Sequence, residues 1–431
     1  MAGLLLLLVG LSVYAMSSQL YSIGTTRNLW VSGLGLFVLL AAAQGRVTAR
    51  ALVLVAPVFW LLGGTMDEGT WQRFSPEVCA RALGVLWVGV GVFLLAYGLV
   101  GELQRPSKTG RLLSVRGSTL WVALAIFVLL GLGGQALVAS RIPFEVRQHL
   151  RGSSYGFALG PLMPIHYISS RFLVAASVIA TVVLVSRERH PIWSVFGAYA
   201  VIVGQLLLST WGAASRATTL APIVVLFVFY VRSARPRAAV LCGTIVVTVL
   251  VILSAIKSNE EVASIQSLSF GKVTSNILVD NLSVIDTFGD PARWLWGRSL
   301  YGVLTMPIPR SIWPNKPYGL GIGAAVDQGT PEGTVSAAPT LPAELFANVG
   351  LLGVIVGMAG LCFVARRIDR LGRSTSGDPF REVWYGFSLF YLVMEIRGDF
   401  MSQTLDWLAI GMCLIATRAV VRWRGFRPRA R

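Results

Sequence analysis

The sequence predicts an all-α polytopic membrane protein with about twelve transmembrane helices and one large outer loop. Three observations carry that expectation. The chain is 55% hydrophobic and only 13% charged, with a mean hydropathy of +0.68. A soluble protein could not hide so much apolar surface, whereas lipid is itself an apolar solvent. The apolar runs are continuous for 14–20 residues, without the alternation that a β-barrel requires. Lys and Arg also cluster in alternate connections.

In chain order the apolar runs predict spans at about 3–20, 29–44, 51–64, 83–99, 118–138, 172–186, 192–209, 218–231, 238–256, 341–364, 382–395 and 403–418. The first run, Leu4–Ala15, lacks the basic flank and small-residue cleavage site of a signal peptide, so it is expected as a retained helix. The organisation follows from these runs. Residues 1–256 carry nine helices with an outer loop at 139–171, 257–340 form a large outer loop, and 341–431 carry three helices and a basic tail.

Charge gives the orientation. One alternate set of connections (45–50, 101–117, 187–190, 232–237, 365–381 and 418–431) holds 22 Lys/Arg in 64 residues. The other set holds 15 in 162. The dense set is expected in the cytoplasm, which places both termini inside and 257–340 outside. The net charge of +17 then belongs to cytoplasmic flanks and not to nucleic-acid binding. The short inner connections have no Gly-rich phosphate cradle. Chemistry on the outer face would need a substrate already activated and delivered through the membrane, such as a lipid-linked one. Cys79, Cys242, Cys362 and Cys413 show no paired spacing, which points neither to disulfides nor to a metal site.

The ionisable residues of the spans crowd toward the outer ends: Arg171, Arg216, Glu344, Glu395, Arg397, Asp399 and Asp406. As a set they predict an outward-facing polar cavity; singly, each is equally well read as an interfacial snorkelling residue. An ion-coupled transporter would carry midplane carboxylates or broken helices, and the sequence predicts neither. In segment 139–171, His166 follows Pro161 and Pro164 beside a membrane re-entry. It is a candidate general base, or an interfacial His bonded to backbone.

Within 257–340, Lys257–Lys272 is expected as a helix lying on the membrane. Trp294, Trp296, Tyr301 and Trp313 fit either an interfacial belt or sugar stacking. In Pro307–Pro317, prolines stiffen a backbone that presents Arg310 and Lys316 six residues apart. A guanidinium grips phosphate bidentately and an ammonium acts as a point charge. The same stretch also reads as a solvated loop against lipid headgroups.

Several of these stretches resemble one family. Ser215-Arg216-Ala-Thr-Thr-Leu is similar to the S-R-G/A-x-x-L segment of Wzy-type O-antigen or exopolysaccharide repeat-unit polymerases and the related O-antigen ligases. Pro309-Arg310-Ser-Ile-Trp313-Pro314-Asn-Lys316-Pro317 looks like the P-R-x-x-W-P-x-K-P segment of the polymerase's large outer loop. Arg397-Gly398-Asp399 is similar to its late outer turn, and an R-x10-G pattern occurs as Arg141…Gly152 and Arg310…Gly321. The ligases' outer-loop His has no counterpart by motif, so His166 is placed by position alone.

The resemblance implies a GT-C-like enzyme of the bacterial inner membrane, a glycosyltransferase without metal or cofactor. It would act on undecaprenyl-pyrophosphate-linked oligosaccharide at the periplasmic face. Its partners would be that lipid-linked glycan, membrane lipids and a chain-length regulator, with no nucleic acid. Arg216, Arg310 and Arg397 are then expected to hold pyrophosphate, supported by Arg171, Lys316, Arg141 and Trp313. Glu344, Asp399 and His166 compete as the base. The alternatives are an O-antigen ligase, a non-enzymatic flippase or exporter of the same glycan, and a transporter of small solutes.

Overall fold

The structure is a computed structural model. It describes residues 2–15, 23–42, 48–66, 68–99, 117–141, 162–186, 192–210, 216–233, 270–305, 339–374, 378–397 and 400–425, with 235, 237–238, 240–244, 313 and 320. Among them every extended element is helical: α1 Ala2–Ala15, α2 Ile23–Ala42, α3 Ala49–Met66, α4 Glu68–Trp71, α5 Pro76–Leu99, α6 Gly117–Arg141, α7 Met163–Val185, α8 Ile192–Thr210, α9 Arg216–Arg232, α10 Phe270–Thr287, α11 Arg298–Thr305, α12 Leu341–Ser374, α13 Pro379–Arg397 and α14 Phe400–Gly425.

Among the described residues four helical stretches are long and apolar enough to cross a membrane: Pro76–Leu99, Leu120–Val138, Ile168–Val185 and Leu341–Arg373. The ninth expected span, 238–256, lies largely outside the described residues. Each of the other eleven overlaps a helix.

The chain divides into two compact units. The first comprises residues 1–105, 254–370 and 391–405; the second comprises 106–253, 371–390 and 406–431. In the first unit α1 packs lengthwise on α5, through glycines seven residues apart on each helix. A Cβ on Gly3 would stand 2.5 Å from Leu95 N, and one on Gly91 2.5 Å from Leu7 N. On Gly10 it would meet Val88 N at 2.6 Å, and on Gly84 the Tyr14 Cβ at 2.8 Å. In lipid, where apolar burial gives helices no preference for each other, small residues let two backbones approach and gain dispersion.

On the far side of α3, Ala49 N donates to Asp369 Oδ1 at 2.7 Å and Tyr97 OH to Oδ2 at 2.6 Å. A carboxylate from α12 therefore serves an orphan donor at the start of α3. The Arg366 guanidinium lies 4.5 Å from the centre of the Tyr97 ring.

Two segments between the expected spans carry further helix. Segment 257–340 contains helix beyond the stretch expected at its start. Its α10 packs on α3 and α5, with Ile277, Leu278, Leu282, Val284, Ile285 and Phe288 buried. Those positions form one face of a 3.6-residue period. Of the membrane-lying helix expected at Lys257–Lys272, residues 257–269 fall outside the described residues and 270–272 open α10. In the second unit, α7 begins at Met163 with Pro in its first turn, nine residues before the expected span. Proline's fixed φ suits that position. His166 is therefore helical, and Arg171 lies two turns inside α7.

The second unit packs α7 against α6, α8 and α9. Gln135 donates to Ser169 Oγ at 2.8 Å between α6 and α7. Trp384 and Trp407 stack at 5.6 Å between ring centres, with Trp407 Nε1 donating to Ser388 Oγ at 3.2 Å.

The glycine interface makes a direct prediction. Gly91→Val should destabilise the protein by roughly 1–3 kcal/mol through overpacking against the α1 backbone. Gly98→Val on the same helix, where a Cβ meets nothing within 4 Å, should leave the thermal midpoint in detergent nearly unchanged.

Candidate functional site

The longest helix is broken. In α12 the backbone leaves helical geometry at Val349 (φ −149°, ψ 29°) and Gly350 (φ 61°, ψ −151°). A break frees carbonyls that need donors. Ala347 O accepts from Leu295 N, and Asn348 O from Trp296 N, both at 2.9 Å. The segment 288–299, between α10 and the start of α11, is thereby clasped onto the interrupted helix. The Trp294 ring covers the break; a Cβ on Gly350 would lie 2.4 Å from Trp294 Cζ2. Trp294 Nε1 in turn donates to Phe288 O at 3.0 Å.

Beneath the clasp lies Glu344, wholly buried in the first turn of α12. Its Oε1 accepts from Ser299 Oγ at 3.1 Å. Asn348, one turn further on, donates through Nδ2 to Ser299 Oγ and to Glu344 O, each at 2.8 Å. The buried Asn348 Oδ1 has no hydrogen-bond partner among the described residues. The start of α12 is held by Asn281 of α10, whose Oδ1 accepts from Thr340 N at 3.0 Å and from Thr340 Oγ1 at 2.6 Å.

Above this acid the clasp carries aromatic groups. Trp296 is 68% exposed and has a left-handed φ of 51°, a conformation a bulky residue adopts at a cost of about 1–3 kcal/mol. Its ring meets Trp294 edge-on at 5.7 Å. Tyr301 of α11, also exposed, meets the half-buried Trp313 edge-on at 6.4 Å. Arg293 and Arg298 are exposed beside them.

Of the residues singled out from sequence, the first unit therefore gathers Glu344, Trp294 and Trp296 at one break, with Tyr301 and Trp313 in contact with each other. Half-buried Arg397 ends α13, and Glu395 nearby in sequence accepts from Thr404 Oγ1 at 2.8 Å. Arg310, Lys316 and Asp399 lie outside the described residues. In the second unit Arg171 is ion-paired with the buried Asp406 of α14. Arg141 is exposed at the end of α6. His166 and Arg216 are helical by backbone, and their side chains are outside the described set.

The break itself overturns the expectation that no helix would be interrupted. Sequence reasoning also missed Ser299, Asn348, Asn281 and Thr340. A signal existed for Asn348: four residues after Glu344 on a helix, it must share its face. Among the described residues no three His, Cys, Asp or Glu converge as metal ligands would. Comparison with family models, characterised proteins and solved structures finds no match for this chain.

The arrangement can hold a buried carboxylate next to a hydroxyl, under a segment whose outer surface offers rings and guanidiniums. Gly350→Ala should open it, because the substitution combines left-handed strain with collision against Trp294. Gly297→Ala, at a φ of 84° but with nothing within 4 Å of a Cβ, isolates the strain term. The Gly350 variant is expected to lose at least about 1 kcal/mol more. Chemical denaturation followed by tryptophan fluorescence measures the difference.

Proposed function

We propose that this chain is a membrane glycosyltransferase that joins lipid-pyrophosphate-linked oligosaccharide repeat units on the outer face of a bacterial inner membrane. The observation that carries this reading is Glu344, a fully buried carboxylate bonded to Ser299 Oγ beneath a clasp bearing exposed Trp296, with exposed Tyr301 in the helix that follows. The resemblance of the 309–317 segment to repeat-unit polymerases supports it, as does the charge asymmetry that puts 257–340 outside. In this reading about twelve helices span the membrane in a GT-C-like arrangement, with both termini inside.

The reaction needs a proton acceptor and a site for a departing anion. The acceptor glycan's hydroxyl oxygen attacks the anomeric carbon of the donor. The bond from that carbon to pyrophosphate breaks, and the electron pair leaves with the pyrophosphate. Glu344 takes the hydroxyl proton, directly or through Ser299. Arg310 and Arg397 stabilise the leaving pyrophosphate, with Lys316 in support. Trp296, Tyr301 and Trp313 offer ring faces to sugars. Glu344 is preferred over Asp399 and His166 because it is buried beside the break and accepts a hydrogen bond from Ser299 Oγ.

A second reading is favoured by the helix break: a carrier that moves the same lipid-linked glycan. Interrupted helices beside buried carboxylates are frequent in transporters. One experiment separates the two. Purified chain in detergent is given lipid-linked single repeats, and the product ladder is resolved on a gel. The wild type should lengthen the chains. Glu344→Gln, which retains an acceptor for Ser299, should slow the ladder by about 10²–10⁴-fold with an unchanged thermal midpoint. A ladder undiminished in that variant removes Glu344 as the base. Absence of a ladder from wild type leaves the carrier. In cells lacking the chain, single-repeat lipid-linked units should accumulate; long lipid-linked polymer would point instead to a ligase.

A further inference from the structure

The second unit holds a cavity of about 620 Å³, which the glycan chemistry does not use. It opens where three helices end. Leu184–Ser186 close α7, Phe229–Ser233 close α9, Gly372 and Arg373 lie at the end of α12, and Glu382 opens α13. Its volume falls within the range of roughly 300–1,000 Å³ common to small-ligand sites.

Charge defines what the cavity can take. Among the described residues its lining carries Arg232, Arg235 and Arg373 against one carboxylate, Glu382. Arginines near helix C-termini often serve only to bind the last carbonyls. Arg232 does that: its Nη2 donates to Gly372 O at 2.6 Å, its Nε lies 3.9 Å from Glu382 Oε2, and its guanidinium sits 4.5 Å over the Tyr385 ring. Arg235 and Arg373 are both exposed, and neither is paired with a carboxylate among the described residues. The nearby Asp378 does not neutralise them, because it is held by Arg418 and Arg381. Two unpaired guanidiniums therefore face a polar hollow whose third guanidinium is fixed in place.

We propose that this cavity is a phosphate site, with Arg235 and Arg373 gripping the anion and Arg232 setting its positive field. Guanidinium matches phosphate oxygens bidentately. Basic pockets at the ends of membrane helices suit lipid headgroups, and these connections belong to the Lys/Arg-rich set expected on the cytoplasmic side. The same chemistry would also accept a soluble phosphate. This site is independent of Glu344 and of any glycan transfer.

The test uses the purified full chain in a nonionic detergent, titrated calorimetrically with short-chain phosphatidylglycerol and, separately, with inorganic phosphate at constant ionic strength. Saturable binding is expected. Binding of the lipid alone identifies the headgroup as the ligand, whereas comparable binding of inorganic phosphate identifies a soluble anion. The Arg235→Ala/Arg373→Ala variant should bind at least about tenfold more weakly, since two charge-assisted donors are gone. Arg73→Ala, at an exposed residue of the first unit, should bind as wild type. If the double variant does not elute as a single species, Arg235→Lys and Arg373→Lys take its place. They keep the charge, lose the fork and should still weaken binding severalfold. Absence of saturable binding to either probe, or binding unaffected by these substitutions, overturns the proposal.

Discussion

The first unit depends on one backbone defect, the break in α12 at Val349–Gly350. An unbroken helix would consume Ala347 O and Asn348 O internally. Interrupted, it offers them to Leu295 N and Trp296 N, and a segment far away in sequence becomes fixed to it. Three consequences follow from those two hydrogen bonds. The Trp294 ring comes to lie against Gly350, where a Cβ would collide with it. Ser299 is brought to Glu344. Trp296 is forced into left-handed geometry with its ring outward. The defect, the buried acid and the aromatic surface are thus a single construction, and none of them stands without the others.

The second unit is organised by how its charges are settled. Asp406 answers Arg171, Asp378 answers Arg418 and Arg381, and Arg232 answers a helix-terminal carbonyl. A buried ion pair contributes little net stability, because desolvation offsets the attraction, but losing one partner strands the other charge. Such pairs mainly fix which helices stand beside which. Among the described residues, Arg235 and Arg373 are the arginines of the cavity wall that no carboxylate answers.

Much of the helix pattern was legible because lipid imposes a plain rule: long apolar runs become helices. That rule failed for α10. Lys272, Thr274, Asn276, Asp280, Asn281 and Asp286 lower its hydropathy, and its apolar residues show only as a periodic stripe. It failed again at the front of α7, where the prolines of 161–164 read as loop although Pro164 starts the helix. Glu344 was legible as an acid near a helix start. Its partners were not, because Ser299 lies 45 residues away and hydroxyls carry no signal in composition. The break was illegible for a similar reason. Val349-Gly350 is an ordinary pair in a membrane helix, and nothing local in the sequence marks the kink found there.

The two buried carboxylates of α12 show why the functional reading attaches to one and not the other. Asp369 stands at the end of the first unit's share of the helix, and its two oxygens serve the amide that starts α3 and the Tyr97 hydroxyl. That is a capping role, and it satisfies donors that folding would otherwise leave orphaned. Glu344 is surrounded by features that lower stability. A helix is broken beside it, Trp296 holds a strained backbone above it, and Asn348 Oδ1 is buried without a donor. Each is unfavourable by an amount on the order of 1–3 kcal/mol. A chain selected only to fold would replace them with an unbroken apolar helix. Their concentration around one carboxylate is the physical argument that this part of the molecule is built for a ligand, with stability given up where the ligand must enter.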